Sequence, residues 1–234
     1  DLDSAYRRQR QICIRESSYL GGTINSSGGA VEWFRTLSGG APHEALIAEA
    51  RAAGPGSQGV VFLPHLVFAP SPEPDTASRG AFLGLTAHAT RGALYRAVLE
   101  GLAMQLRLIV EAMTRLPGIV PARAVRAIGG NTRNPLFMEI KASVLAQPVT
   151  IVEESEATSL GAALLGGVAA GLWPDLDAAL AGLDRRDHAV EPQPDLVGYY
   201  QELYASVFQG LQKTLTPIHR SLGRLDRSAA GNPV

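Results

Sequence analysis

The chain has 234 residues, 46% of them hydrophobic and 18% charged, which is the composition of an ordinary globular protein with one large or two small domains. Its formal net charge of −1 argues against a protein that coats nucleic acid or an anionic membrane, because such partners demand a strong basic excess. The one cysteine, Cys13, excludes an intrachain disulfide and fits a reducing, cytoplasmic setting, and the longest weakly polar run, residues 161–173, is too short to span a bilayer.

Short β-like runs alternate with helical stretches along the chain, which is the pattern of an α/β fold with helices packed on a sheet. Residues 11–14 and 18–20 are predicted to form short strands, and residues 28–37 a helix. After a break at residues 54–58, residues 59–63 have the pattern of a buried strand. A proline-rich loop follows, and the fixed φ and missing N–H of proline exclude it from a helix or a central strand.

The strongest helical pattern in the chain runs from about Thr90 to Leu116. A short strand over residues 124–128 follows it and leads, through two glycines, into another helix. Asn134 is a suitable N-cap for that helix, because its side chain can accept a hydrogen bond from an orphan backbone amide, and Pro135 is a suitable first residue.

The last part of the chain is predicted to contain one more strand, residues 149–152, and two helices, residues 156–170 and 195–215. The first of these helices consists largely of small residues, which would let it approach a neighbour closely. The second is expected to bury one face before Pro217 ends or kinks it. The residues predicted for that buried face are Tyr199, Leu203, Val207 and Leu211.

The pair Gly129-Gly130 lies between a predicted strand and a capped helix, where backbone amides and the helix dipole favour an anion or a polar ring. The absence of β-carbons would also let a flat purine approach the backbone. A tight turn that needs positive φ explains the same pair, and a lone Gly-Gly is a weak motif.

Two further segments carry a pattern that packing alone could explain. Gly80 and Gly84 precede the long helix, where they could mark a bulge or a close contact between helix and strand. Glu156 falls in the first turn of the helix of small residues, where an acidic side chain stabilises the helix dipole.

Taken in this order, the three segments resemble the C-terminal domain of the FGGY carbohydrate kinases, the family that includes glycerol, xylulose, ribulose, gluconate and fuculose kinases. Residues 80–100 are similar to the C-terminal signature of that family, and the resemblance extends from about Leu20 to Tyr204. It implies an actin-like ATPase fold of the ribonuclease H type, with a mixed sheet flanked by helices. In that fold ATP lies in a cleft between two domains, and this domain holds the adenosine end.

The resemblance also implies which residues bind the nucleotide. Gly129, Gly130 and Asn134 match the family's Gly-Gly-x-x-x-Asn adenine loop. Gly28 and Glu32 match the segment that reaches the nucleotide from the other side. Glu32 stands where relatives often carry Gln, which keeps an acceptor but removes the amide donor.

Phosphoryl transfer to a sugar hydroxyl also needs Mg²⁺ to neutralise the phosphates and a carboxylate to accept the hydroxyl proton. In the family that the chain resembles, the catalytic Asp and the sugar-binding residues belong to the N-terminal domain. No catalytic residue is therefore assigned here, and the sugar or polyol is expected to bind through that domain. The histidines are dispersed without ligand spacing, so Mg²⁺ is expected to be bound mainly through the phosphates of ATP.

The domain organisation follows from the same resemblance. Residues 1–222 are expected to form the nucleotide-side domain, truncated at its N-terminal edge, and residues 223–234 a disordered tail. Truncation inside a domain would leave the sheet around residues 11–20 with an unpaired edge, which predicts a dimer or a tendency to aggregate.

The leading hypothesis is the C-terminal half of an ATP-dependent carbohydrate kinase, inactive without its N-terminal domain. Two alternatives stay open. One is a non-catalytic nucleotide-sensing or interaction module with the same actin-like fold. The other is a doubly wound domain of unrelated function, since fold alone does not determine function.

Overall fold

The computed structural model describes residues 11–12, 18–154, 156–183 and 186–229. The helices are α1 (Ser27–Leu37), α2 (His43–Ala53), α3 (Arg91–Thr114), α4 (Pro135–Leu145), α5 (Ala157–Ala169), α6 (Leu176–Ala181), α7 (Pro194–Leu203) and α8 (Leu211–Ala229). The strands are β1 (Gln11–Ile12), β2 (Ser18–Tyr19), β3 (Val61–Leu63), β4 (Ala81–Leu83), β5 (Val125–Ala127), β6 (Val149–Ile151) and β7 (His188–Val190). Among the described residues, no helix is both long enough and apolar enough to cross a membrane.

The strands form short pairs and one small mixed sheet. β1 pairs antiparallel with β2, and β3 pairs antiparallel with β4. In the third sheet β5 runs parallel to β6, and β7 joins β6 antiparallel. A parallel pair needs a crossover, and α4 supplies it between β5 and β6. Cys13 and the rest of the segment between β1 and β2 lie outside the described residues, so the unpaired edge expected around residues 11–20 stays a prediction.

Helix α3 lies at the centre of the core, and nearly every side chain from Gly92 to Gln105 is buried. A helix that is buried on all sides needs small residues where neighbouring backbones approach it most closely. A Cβ at Gly101 would collide with the carbonyl oxygen of Phe62 in β3. Gly84 has φ +75°, and a Cβ there would collide with the carbonyl oxygen of Gly59. The packing explanation for the glycines around the long helix therefore holds at these two positions.

A buried ion pair joins α3 to three neighbouring segments. Arg96 and Glu100 are 4% and 3% exposed, and Nε of Arg96 donates to Oε1 of Glu100 at 2.8 Å. The Tyr200 hydroxyl of α7 donates to the same oxygen at 2.8 Å.

Backbone and hydroxyl groups complete the coordination of this pair. The Gly56 N–H and the Ser57 hydroxyl also donate to the carboxylate of Glu100, at 3.0 and 2.8 Å. The Arg96 guanidinium reaches the Ala50 carbonyl in α2 at 3.3 Å. We call Arg96, Glu100, Tyr200, Ser57 and the two backbone groups the α3 network.

The C-terminal helices differ from the prediction of one helix over residues 195–215. A single π-helical turn, Tyr204–Phe208, separates α7 from α8, with the Gln209 N–H bonded to the Tyr204 carbonyl at 2.9 Å. The buried face carries Tyr200, Tyr204 and Phe208, whereas Tyr199 and Val207 are each 42% exposed. The predicted face was therefore wrong at Tyr199 and Val207, whereas Leu211 is buried and Leu203 packs partly buried against the core, as predicted. The hydrogen bonds of the Tyr200 hydroxyl inside the α3 network select the neighbouring face, and the wider π turn then rotates the helix.

Helix α8 continues past Pro217 to Ala229, so residues 223–229, which were expected to be disordered, are helical. Polar contacts attach this helix to the segment after β3. The Gln212 side chain donates to the Glu73 carbonyl at 2.8 Å, and the Thr216 hydroxyl lies 3.3 Å from the Asp75 carboxylate. The tertiary contacts hold α8 in place where its sequence alone, with a proline inside, disfavours a helix.

Glu100→Gln is expected to lower the free energy of unfolding by about 3–5 kcal/mol, because it leaves the Arg96 charge buried without its counter-ion. Urea denaturation measures the change. The matched control is Glu49→Gln, which breaks the exposed Arg91–Glu49 pair and should cost far less. Equal losses in the two variants would contradict the role given to the α3 network.

Stability is expected to fall as pH decreases below about 6.5, because buried His65 binds a proton less readily than it does in the unfolded chain. Its Nδ1 lies 2.8 Å from the Ser78 hydroxyl and its Nε2 3.3 Å from Oε1 of Gln105, and burial lowers its pKa from 6.5 to about 4. The loss should therefore accumulate between pH 6.5 and 4. Urea denaturation at several pH values checks this, and His65→Gln should flatten the profile in part, since burial also lowers the pKa of His219.

Candidate functional site

A cleft of about 600 Å³ opens between α1, α2 and the loop that precedes α4. Its lining combines apolar side chains with a cationic and polar rim. The lining residues are Val31, His43, Glu44, Ile47, Ala48, Arg51, Tyr95, Gly130, Asn131, Arg133, Asn134, Pro135 and Phe137. The structure thus brings two of the predicted site residues, Gly130 and Asn134, into one concave site.

The two glycines of the loop after β5 differ in backbone conformation. Gly129 has φ +87° and starts a 3₁₀ turn over Gly130–Arg133, with the Thr132 N–H and hydroxyl bonded to its carbonyl at 3.0 and 2.8 Å. Gly130 does not have positive φ, and a Cβ there would meet no protein atom within 4 Å. The turn explains Gly129, whereas neither the turn nor packing explains Gly130. Its open face is free for the close approach of a ligand.

Both ends of the Asn134 amide are engaged. Its Oδ1 accepts from the Phe137 N–H at 3.1 Å, which confirms the predicted N-cap of α4, and its Nδ2 donates to the Tyr95 hydroxyl at 3.4 Å. Tyr95 belongs to α3 and is fully buried, and burial raises its pKa. Asn134 is therefore held by two helices, and the loop before it has a fixed position relative to the core.

The N-terminal end of α1 contacts the same loop. Nδ2 of Asn131 donates to the Ser27 hydroxyl at 3.1 Å, and a Cβ at Gly28 would lie 3.7 Å from Oδ1 of Asn131. Gly28 thus lies at the junction between α1 and the loop rather than in the lining of the cleft. The structure places the two predicted halves of the site side by side.

Glu32 lies one turn further along α1 on an exposed face. Its carboxylate accepts from Nε and Nη2 of Arg35 at 2.9 and 2.6 Å, and the hydrogen bond from Arg35 lowers its pKa. Nε2 of His43, which lines the cleft, lies 3.9 Å from Oε2 of this carboxylate. Glu32 is thus an ionised group at the edge of the cleft, oriented by Arg35.

Helix α2 contributes a whole wall of the cleft that the sequence patterns did not predict. Leu46 and Ala50 bury its inner side, and the side facing the cleft carries His43, Glu44, Ile47, Ala48 and Arg51. The sequence signals for this helix were weak, namely an alanine-rich stretch after Pro42 and a glycine, Gly54, at its end. In the structure Gly54 has φ +76°.

An ion pair sets the separation between α2 and α4. Arg51 binds the Glu139 carboxylate through two hydrogen bonds of 2.6 and 2.8 Å, and these bonds raise the pKa of the guanidinium. Because the two helices form facing sides of the cleft, this bidentate pair restricts its width. Within the described part of the chain, no group of three or more His, Cys, Asp and Glu side chains is placed to hold a metal ion.

The profile of the FGGY family of carbohydrate kinases, C-terminal domain, matches residues 5–170. The chain belongs to this family. Glycerol kinase from Oleidesulfovibrio alaskensis is 37% identical over 179 residues, which are 76% of this chain and 35% of that protein. Xylulose kinase from Lactococcus lactis is 27% identical over 206 residues, 87% of this chain and 41% of that protein. The chain therefore spans well under half the length of these relatives.

Solved structures of FGGY kinases have the same fold. Ligand-bound xylulose kinase from Lactobacillus acidophilus matches 88% of this chain and 42% of its own, with a TM-score of 0.78 and 26% identity. Plasmodium falciparum glycerol kinase with ADP matches 84% of this chain and 39% of its own, with a TM-score of 0.71 and 27% identity. The predicted actin-like ATPase fold is confirmed, with a mixed sheet and flanking helices.

Proposed function

We propose that this chain is the nucleotide-binding domain of an ATP-dependent carbohydrate kinase, which transfers the γ-phosphate of ATP to a hydroxyl of a sugar or polyol. The observation that carries the proposal is the open face of Gly130 in a cleft whose loop is fixed by Asn134. The substrate class is supported by the similar glycerol and xylulose kinases, and the nucleotide by the glycerol kinase solved with ADP.

In this proposal the base of the nucleotide lies flat against Gly129 and Gly130, with Asn134 fixing the end of the loop. The cleft volume of 600 Å³ lies within the range of about 300–1,000 Å³ that small-molecule sites occupy. Gly28 and Glu32 approach the nucleotide from α1. Because Glu32 is held ionised by Arg35, it offers acceptors only, and we expect it to face N–H or O–H donors of the ligand.

The chemistry divides between this domain and the rest of the kinase. ATP supplies the phosphoryl group, and Mg²⁺, bound mainly through the phosphates, offsets their charge. The residues of this chain bind and orient the nucleotide. We assign none of them as the base that accepts the hydroxyl proton, and we expect that carboxylate and the sugar site in the N-terminal domain. The domain alone is expected to bind nucleotide only weakly and to transfer no phosphate.

Gly130→Leu is expected to abolish ADP binding, because its side chain would occupy the open space in the cleft. The control is Gly161→Leu in α5, where a Cβ likewise meets no atom within 4 Å. Isothermal titration calorimetry with ADP and Mg²⁺ compares the two variants with the unchanged chain. Both should keep the unfolding midpoint, and ADP affinity equal in the two variants would place the nucleotide elsewhere.

Phosphoryl transfer should appear only when the chain is joined by an N-terminal domain of a matching kinase. Coupled detection of ADP production across pentuloses, hexuloses and polyols measures it, with Gly130→Leu as the inactive control. A folded complex that binds ADP and phosphorylates no member of the panel would favour the non-catalytic nucleotide-sensing alternative. Turnover by the chain alone would contradict the division of labour.

A further inference from the structure

A second groove, of about 670 Å³, lies between α8 and the segment that connects β3 to β4. It shares no lining residue with the nucleotide cleft. Its lining is rich in arginine, in a chain whose net charge is −1. The lining residues are Leu66, Val67, Thr76, Ala77, Ser78, Arg79, Gly80, Arg220, Gly223, Arg224 and Asp226. We call it the arginine groove.

The way α8 docks decides which of its residues line the groove. Gln212, Thr216 and His219 face the connecting segment, and the Arg79 N–H donates to Nδ1 of buried His219 at 3.3 Å. With that side of the helix fixed, Arg220 and Arg224 project along the groove one turn apart. Gly223, on the same side, has no side chain to fill the space between helix and segment.

The charges in the groove are only partly compensated. Arg79 forms an ion pair with Asp226 at 3.0 Å, and among the described residues of the lining Asp226 alone is acidic. Arg224 donates to the Ser221 hydroxyl at 3.1 Å, which is a neutral partner. Within the residues that the structure describes, no carboxylate lies within ion-pair distance of Arg220 or Arg224. Three guanidinium groups and one carboxylate leave the groove with an excess of two positive charges.

Two like charges at positions i and i+4 of a helix repel each other, so Arg220 and Arg224 favour a bound anion between them. Guanidinium groups present paired N–H donors that match the oxygens of a phosphate. An anion with two negative charges would balance the excess. The lining contains only three arginines, which suits one small phosphate group better than the extended backbone of a nucleic acid.

We propose that the arginine groove binds a phosphate dianion, either free phosphate or the monoester of a small metabolite, between Arg220 and Arg224 and facing Arg79. The site is separate from the nucleotide cleft and does not depend on the function proposed for it. A bound dianion would neutralise the charges of Arg220 and Arg224 and strengthen the contact between α8 and the segment after β3.

The test is calorimetric titration of the 234-residue chain with inorganic phosphate and with glycerol 3-phosphate at constant ionic strength, first without ADP and then with ADP added. Arg220→Ala/Arg224→Ala is expected to weaken binding by about tenfold or more, because both charge-assisted contacts are lost. The matched control is Arg123→Ala/Arg126→Ala, which makes the same change in net charge at exposed positions outside the groove.

The two probes separate the sources of the anion. Tighter binding of glycerol 3-phosphate assigns the groove to phosphorylated metabolites, and equal or tighter binding of inorganic phosphate assigns it to the free anion. Arg220→Lys/Arg224→Lys keeps the charge but removes the paired donors, and should retain only part of the affinity. ADP binding should be the same in all these variants, so a failure here leaves the nucleotide proposal intact.

Three results would overturn the proposal. One is the absence of binding by either probe to the unchanged chain. Another is an equal loss in the Arg123→Ala/Arg126→Ala control, which would indicate a general charge effect. The third is displacement of phosphate by ADP, which would place the phosphate in the nucleotide cleft.

Discussion

The buried pair of Arg96 and Glu100 determines how the segments around the cleft between α1, α2 and α4 are placed. Burying two charges is costly, and the cost is offset only when every polar atom has a partner. Here the partners come from the end of α2, from the turn before β3 and from α7. Displacement of any one of these segments would leave a polar atom of the buried pair without its partner. Since α2 forms one wall of the cleft, the shape of the cleft depends on a network none of whose residues lines it.

The cleft itself is held by contacts of a different kind. The Arg51–Glu139 pair and the contact between Asn131 and Ser27 lie near the surface, where such interactions contribute little to stability. They orient groups rather than stabilise the fold.

Structural features that depend only on neighbouring residues could be predicted from the sequence. The N-cap at Asn134, the proline after it and the positive φ of Gly129 each depend on neighbours in the chain, and each was predictable. The face of α7 was not, because the choice between Tyr199 and Tyr200 depends on hydrogen bonds to residues about 100 positions away. The same holds for the cleft wall on α2 and for the length of α8, whose docking contacts are to the segment after β3. The resemblance to a family could locate Gly28 and Glu32 but not the ion pair that orients Glu32.

Gly129 and Gly130 show why a short motif predicts a binding site weakly and why the structure adds to it. In the sequence, both a bound ligand and a tight turn stayed open as explanations for the pair. The structure separates them, because the backbone of Gly129 needs a glycine and the backbone of Gly130 does not. A residue that is small without a local reason, in the lining of a cleft, is most simply explained by what approaches it from outside the chain. The open face of Gly130 leaves room for a ligand against this loop, and it is the physical link between the fold and the proposed nucleotide site.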